Sequence, residues 1–110
     1  MENLAYQELS KYIIASKYAR YDGKLKRRET WDEAISRVER MHLEKYSFLS
    51  EVDKNKIKSS FELVKKKIVM PSMRSVNFAG RAVEAKNPRM YNCSFRHIDS
   101  IRAISESFFL

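Results

Sequence analysis

The chain has 110 residues, 22 Lys+Arg against 14 Asp+Glu, a formal net charge of +8 and one cysteine. That length allows one small domain or a piece of a larger one, and the single cysteine excludes an internal disulfide framework. Two glycines and two prolines leave few tight turns, so long helices are expected.

Residues 3–18 place Leu9, Tyr12, Ile13 and Ser16 on one helical face. Tyr18-Ala19-Arg20-Tyr21 ends this helix, and Asp22-Gly23 is a turn signal. The basic run Lys24 to Arg28 reads as an exposed loop.

Thr30-Trp31-Asp32-Glu33 is a capping box. The threonine hydroxyl accepts from the amide three residues on, and Glu33 reaches back to the cap. Trp31, Ala34, Ile35, Val38 and Met41 follow at helical spacing, which predicts a helix over 31–46 with His42 partly exposed beside the stripe. Ser50 opens a third helix, about 51–68, with Ile57, Phe61, Val64 and Ile68 on its face. Lys65, Lys66 and Lys67 fall in its last turn, where cations complement the helix dipole. Pro71 is expected to close it, because the residue before proline is pushed out of helical geometry.

Residues 72–79 read as a short helix with Gly80 as its C-cap, and Asn87-Pro88 as a break. Met90 to Phe95 alternates loosely, which predicts the one good strand of the chain, over 90–95. Asp99 opens a last helix, about 99–110, which ends on Phe108-Phe109-Leu110. A lone strand and an apolar end without a cap lead to the expectation that the chain is a fragment whose fold another stretch of polypeptide completes.

The expected class is therefore mostly α. Segment 1–69 forms an N-terminal helical region, and 70–110 leads into a strand. The basic balance raises a nucleic-acid-binding helical module as an alternative function. The densest basic runs, however, lack interleaved aromatics and read as solvated faces, so a nucleic-acid partner is not expected. No apolar run reaches the roughly 20 residues of a membrane helix, and no signal peptide is evident. The expected setting is cytoplasmic, with no membrane partner. One cysteine and two distant histidines make no zinc site. A lone cysteine on a strand, taken alone, is more often a small buried hydrophobe than a reactive thiol.

Met70-Pro71-Ser72-Met73-Arg74-Ser75, then Phe78-Ala79-Gly80, then Tyr91-Asn92-Cys93-Ser94-Phe95 together resemble the start of the catalytic barrel of ribonucleotide reductases. The likeness is greatest to the class II, adenosylcobalamin-dependent enzymes of the ribonucleoside-triphosphate type. Tyr18 to Tyr21 and Thr30 to Glu33 look like that family's N-terminal helical region, so the resemblance covers about 18–110. It implies that residues 70–110 begin a ten-stranded α/β barrel that is otherwise absent. It implies that Cys93 is one half of the redox pair that reduces the ribose 2′ carbon and ends as a disulfide. Asn92 would sit at the ribose, and Met70, Pro71 and Ser72 would form the substrate-binding segment. The family often has threonine where this chain has Met70, so a hydroxyl contact there is lost. The implied partners are a ribonucleotide, the remainder of the reductase and a thioredoxin-type reductant. Adenosylcobalamin would be bound by that remainder, and this chain alone would be inactive. A reductase of another class is a further alternative, because all classes share the barrel.

Overall fold

The computed structural model describes residues 3–93 and 95–109. The chain is mostly helical. Its elements run α1 (Leu4–Lys17), β1 (Tyr21–Asp22), β2 (Arg27–Arg28), α2 (Trp31–Lys45), α3 (Glu51–Lys65), α4 (Met73–Phe78), α5 (Arg81–Ala85), a 3-10 turn at Asn87–Met90, and α6 (Ile101–Phe109).

The centre is the α2–α3–α4 packing. Ala34, Ile35 and Val38 of α2 meet Val64 of α3 and Val76 and Ala79 at the end of α4, with Tyr18, Trp31, Met41, Phe61 and Met73 closing the edges. These buried side chains are small. Ile35, Val38 and Val76 are the largest that are fully enclosed, each worth roughly 1.5–3 kcal/mol of burial. The cluster draws on residues from both sides of position 70.

Helix α2 begins as its capping box dictates. Glu33 N–H donates to Thr30 Oγ1 at 3.3 Å, and Thr30 N–H donates to Glu33 Oε2 at 2.8 Å. Ser50 caps α3 by accepting from Asp53 N–H. His42 is half-buried as expected; its ring lies against Phe61, and its Nδ1 is 2.8 Å from the Val38 carbonyl.

Helix α3 stops at Lys65 rather than at 68, and Pro71 is not the cause. Lys67 takes φ 58. Its N–H donates to Val64 O at 2.9 Å, and Ile68 N–H donates to Leu63 O at 3.0 Å. That is the Schellman arrangement, built on lysine where glycine is the usual choice. Trp31 adds a side-chain cap: its indole N–H is 3.3 Å from Val64 O and 3.2 Å from Lys65 O. The first residue of α2 thus closes the end of α3.

The basic run 24–28 is not a plain loop. Tyr21 pairs with Arg28 and Asp22 with Arg27 in an antiparallel hairpin. Asp22 Oδ1 accepts from Lys24 N–H at 2.8 Å and Leu25 N–H at 3.2 Å, which fixes the turn. These two short strands are the only ones among the described residues.

The strand expected over 90–95 is a correction. Met90 ends the 3-10 turn, and residues 91–93 and 95 are irregular; Ser94 lies outside the described residues. An alternating pattern requires a neighbouring ladder for its N–H and C=O groups, and no described segment runs beside this one. The last helix starts at Ile101, two residues later than expected from Asp99. Ser100 Oγ accepts from Ala103 N–H at 3.2 Å and takes the capping role. Leu110, at the end of the expected helix, is outside the described residues.

Helix α1 forms as expected, yet none of its residues is buried. Leu9 and Tyr12 of its apolar face are 52% and 70% exposed. No helix of the described residues is long and apolar enough to cross a membrane.

Candidate functional site

The residues singled out from the sequence lie on two stretches. Met70 is exposed and Pro71 half-buried, in the link that follows the Schellman end of α3. Ser72 is the N-cap of α4, its hydroxyl accepting from Ser75 N–H at 3.4 Å. Asn92 and Cys93 stand in the irregular stretch after the 3-10 turn, both exposed. No hydrogen bond joins the 70–72 stretch to Asn92 or Cys93 among the described residues. The buried cysteine that a strand position suggested is not found: Cys93 is exposed, and the described residues form no strand beside it.

Arg74 is half-buried, and its guanidinium lies 5.2 Å from the centre of the Phe78 ring. Its Nε is enclosed without a hydrogen-bond partner. Two positions to either side of Cys93 in sequence, Tyr91 and Phe95 are exposed, Phe95 at 88% and edge-on to His97 at 5.6 Å.

A polar cluster that the sequence pattern did not single out fixes α4. Arg37 donates through Nη1 to Ala79 O at 3.0 Å and through Nη2 to Val76 O at 2.9 Å. Its Nε and Nη2 also hold Glu29, each at 3.0 Å at closest. Arg20 Nη2 donates to the same Ala79 carbonyl at 2.6 Å. Arg20 N–H donates to Glu29 Oε2 at 3.2 Å, and Arg28 Nη1 donates to Ala19 O at 2.9 Å. Two guanidinium groups therefore cap the C-terminal end of α4, where the helix dipole favours positive charge. Burial, together with the nearby Arg37 charge, pushes the Arg20 pKa below its ordinary value, against the pull of Glu29. Gly80 follows with φ 106, and its N–H contacts Met41 Sδ at 3.2 Å. A sequence signal for Arg37 exists: it lies three residues after buried Ala34 and beside Val38, at the edge of the apolar stripe, where a charge requires partners.

Much of the basic excess is engaged within the fold. Arg27 forms a two-pronged pair with Glu33 at 2.7 and 2.8 Å. Lys65 bridges Glu39 at 2.9 Å and Glu62 at 3.2 Å, and hydrogen bonding to Glu39, ahead of the other influences, raises its pKa. Lys67 Nζ lies 5.8 Å from the Trp31 ring centre.

His42 is tied to the Val38 carbonyl, His97 is exposed, and the described residues contain no group of three or more His, Cys, Asp or Glu side chains able to hold a metal. No family model, no curated protein and no solved structure matches the chain.

Proposed function

We propose that this chain is part of a ribonucleotide reductase, contributing the N-terminal helical region and the segment that leads into the catalytic barrel of a class II, adenosylcobalamin-dependent enzyme acting on ribonucleoside triphosphates. The observation that carries this reading is the ordered set of words from Met70-Pro71-Ser72, through Ala79-Gly80, to Asn92-Cys93.

In this proposal Cys93 is one of two thiols that together deliver two electrons to the ribose 2′ carbon. The 2′ C–O bond breaks, its oxygen leaves as water, a C–H bond takes its place, and the two sulfurs join as a disulfide. The second thiol comes from the remainder of the reductase, since this chain has one cysteine. An external thioredoxin-type reductant then restores both thiols. Asn92 hydrogen-bonds the ribose, and Met70, Pro71 and Ser72 line the substrate. No step is assigned to the corrinoid on these residues. The exposure of Cys93 and Asn92 supports the reading, because a thiol must be reachable by both substrate and a second sulfur. The exposed apolar side chains Ile101 and Phe108 of α6 and Leu9 and Tyr12 of α1 agree with further polypeptide packing here.

The test is turnover. The full enzyme that contains this chain is expected to reduce a ribonucleoside triphosphate in an adenosylcobalamin-dependent manner, and Cys93→Ser is expected to abolish it with an external thiol as reductant. Unchanged turnover in Cys93→Ser removes the assigned role. Activity that does not depend on the corrinoid assigns the chain to another reductase class.

A further inference from the structure

The hairpin turn, Arg20 and the start of the Glu29–Arg37 network enclose an open cleft of about 570 Å³, lined by Arg20, Tyr21, Asp22, Gly23, Lys24, Glu29 and Arg37. Its acidic groups are already engaged. Asp22 Oδ1 accepts from two backbone N–H groups in the turn. Glu29 accepts from Arg37 and from the backbone N–H of Arg20. Arg37 is engaged as well, with Nε, Nη1 and Nη2 all donating into the fold.

The unengaged groups are donors. Among the described residues Arg20 hydrogen-bonds through Nη2 alone, to Ala79 O; its Nη1 lies beside Gly80, and its Nε is left. Lys24 uses its backbone N–H in the turn, and its side chain has no ion-pair partner among the described residues. The exposed phenol of Tyr21 stands between them in sequence. Three cationic side chains, Arg20, Lys24 and Arg37, stand in this lining against two carboxylates, Asp22 and Glu29. That leaves one excess positive charge over a shallow, open cleft, and charge-assisted donors that match a phosphate oxygen.

We propose that this cleft binds a small phosphorylated ligand, with the Arg20 guanidinium and the Lys24 ammonium as its phosphate contacts. The site lies on the hairpin, on different elements from Cys93, and does not depend on the reductase reading.

The probe is inorganic pyrophosphate, titrated into the full chain and followed by amide chemical shifts. The expected result is saturable shifts confined to residues 20–24 and Glu29. Lys24→Ala touches nothing that holds the fold and is expected to weaken binding about three- to fivefold with an unchanged far-ultraviolet circular dichroism spectrum. Arg20→Lys, which keeps the charge, is expected to retain part of the affinity. Absence of saturation, shifts spread evenly over the lysines, or a Lys24→Ala chain that binds like the parent would each overturn the site. A short single-stranded oligonucleotide serves as a second arm. Tighter binding of that probe, with a steep loss in salt, would assign the surface to nucleic acid and overturn the small-ligand proposal.

Discussion

Arg37 holds the carbonyl of Ala79 at 3.0 Å across 42 positions of chain. This one side chain also reaches Val76 O and Glu29, so it joins α2, the end of α4 and the segment after the hairpin. The Arg37 and Glu29 side chains are 14% and 18% exposed. Replacing Arg37 by methionine keeps much of the packing and removes every polar contact. Glu29 is then left as a poorly solvated charge and two helix carbonyls lose a partner. The expected loss is about 2–4 kcal/mol, read as a lower urea midpoint with an unchanged slope. A loss below about 0.5 kcal/mol, the usual range of surface changes, would show that solvent replaces these contacts freely.

Lys67 is the second sensitive position. A non-glycine residue at φ 58 costs about 1 kcal/mol relative to glycine. Its ammonium, 5.8 Å from the Trp31 ring centre, is at the outer limit of a cation–π contact, worth about 0.5 kcal/mol when exposed. The backbone effect is the larger of the two. Lys67→Gly is therefore expected to stabilise the chain by about 0.5 kcal/mol, measured by chemical denaturation. Destabilisation would mean that the contact with Trp31 outweighs the strain.

Glu33 supplies the pH dependence. The Arg27 guanidinium beside it, with help from the Thr30 backbone N–H, lowers its pKa from 4.5 to about 2. A carboxylate held lower in the folded state stabilises fully above its unfolded value. That contribution declines as pH falls through 4.5 and is gone below about 2. The capping box is thus expected to remain formed at pH 4 and to open towards pH 2. A carboxyl-carbon NMR titration of Glu33 checks this, with Arg27→Ala expected to bring the midpoint back towards 4. An unchanged midpoint in Arg27→Ala would remove the ion pair as the cause.

The parts of the fold legible in the sequence are those encoded locally. Thr30 with Glu33, and Ser50 before its charged first turn, carry their own capping chemistry, and α2 and α3 begin where those residues place them. The apolar stripe Ala34, Ile35, Val38 became the core for the same reason. Features that depend on distant partners were not legible. The 90–95 stretch alternates like a strand, yet a strand needs a neighbour, the described residues supply none, and Cys93 is exposed. The hairpin at 21–28 was hidden because Arg27 and Arg28 read as solvated charges, whereas they carry ladder bonds and pair with Glu33 and Ala19 O. The clamp of Arg20 and Arg37 on Ala79 spans 59 and 42 residues, beyond any periodicity. At the candidate site, the thiol and the adjacent amide are legible in the sequence, whereas the exposure of Cys93 depends on what packs around it.

The reductase proposal turns on the fate of one sulfur. The decisive measurement is mass-spectrometric mapping of Cys93 in the full enzyme after a single turnover with a ribonucleoside triphosphate and adenosylcobalamin, without external reductant. The expected result is one disulfide containing Cys93 for each deoxyribonucleotide formed. Deoxyribonucleotide formed in stoichiometric amount while Cys93 remains a free thiol would contradict the proposal.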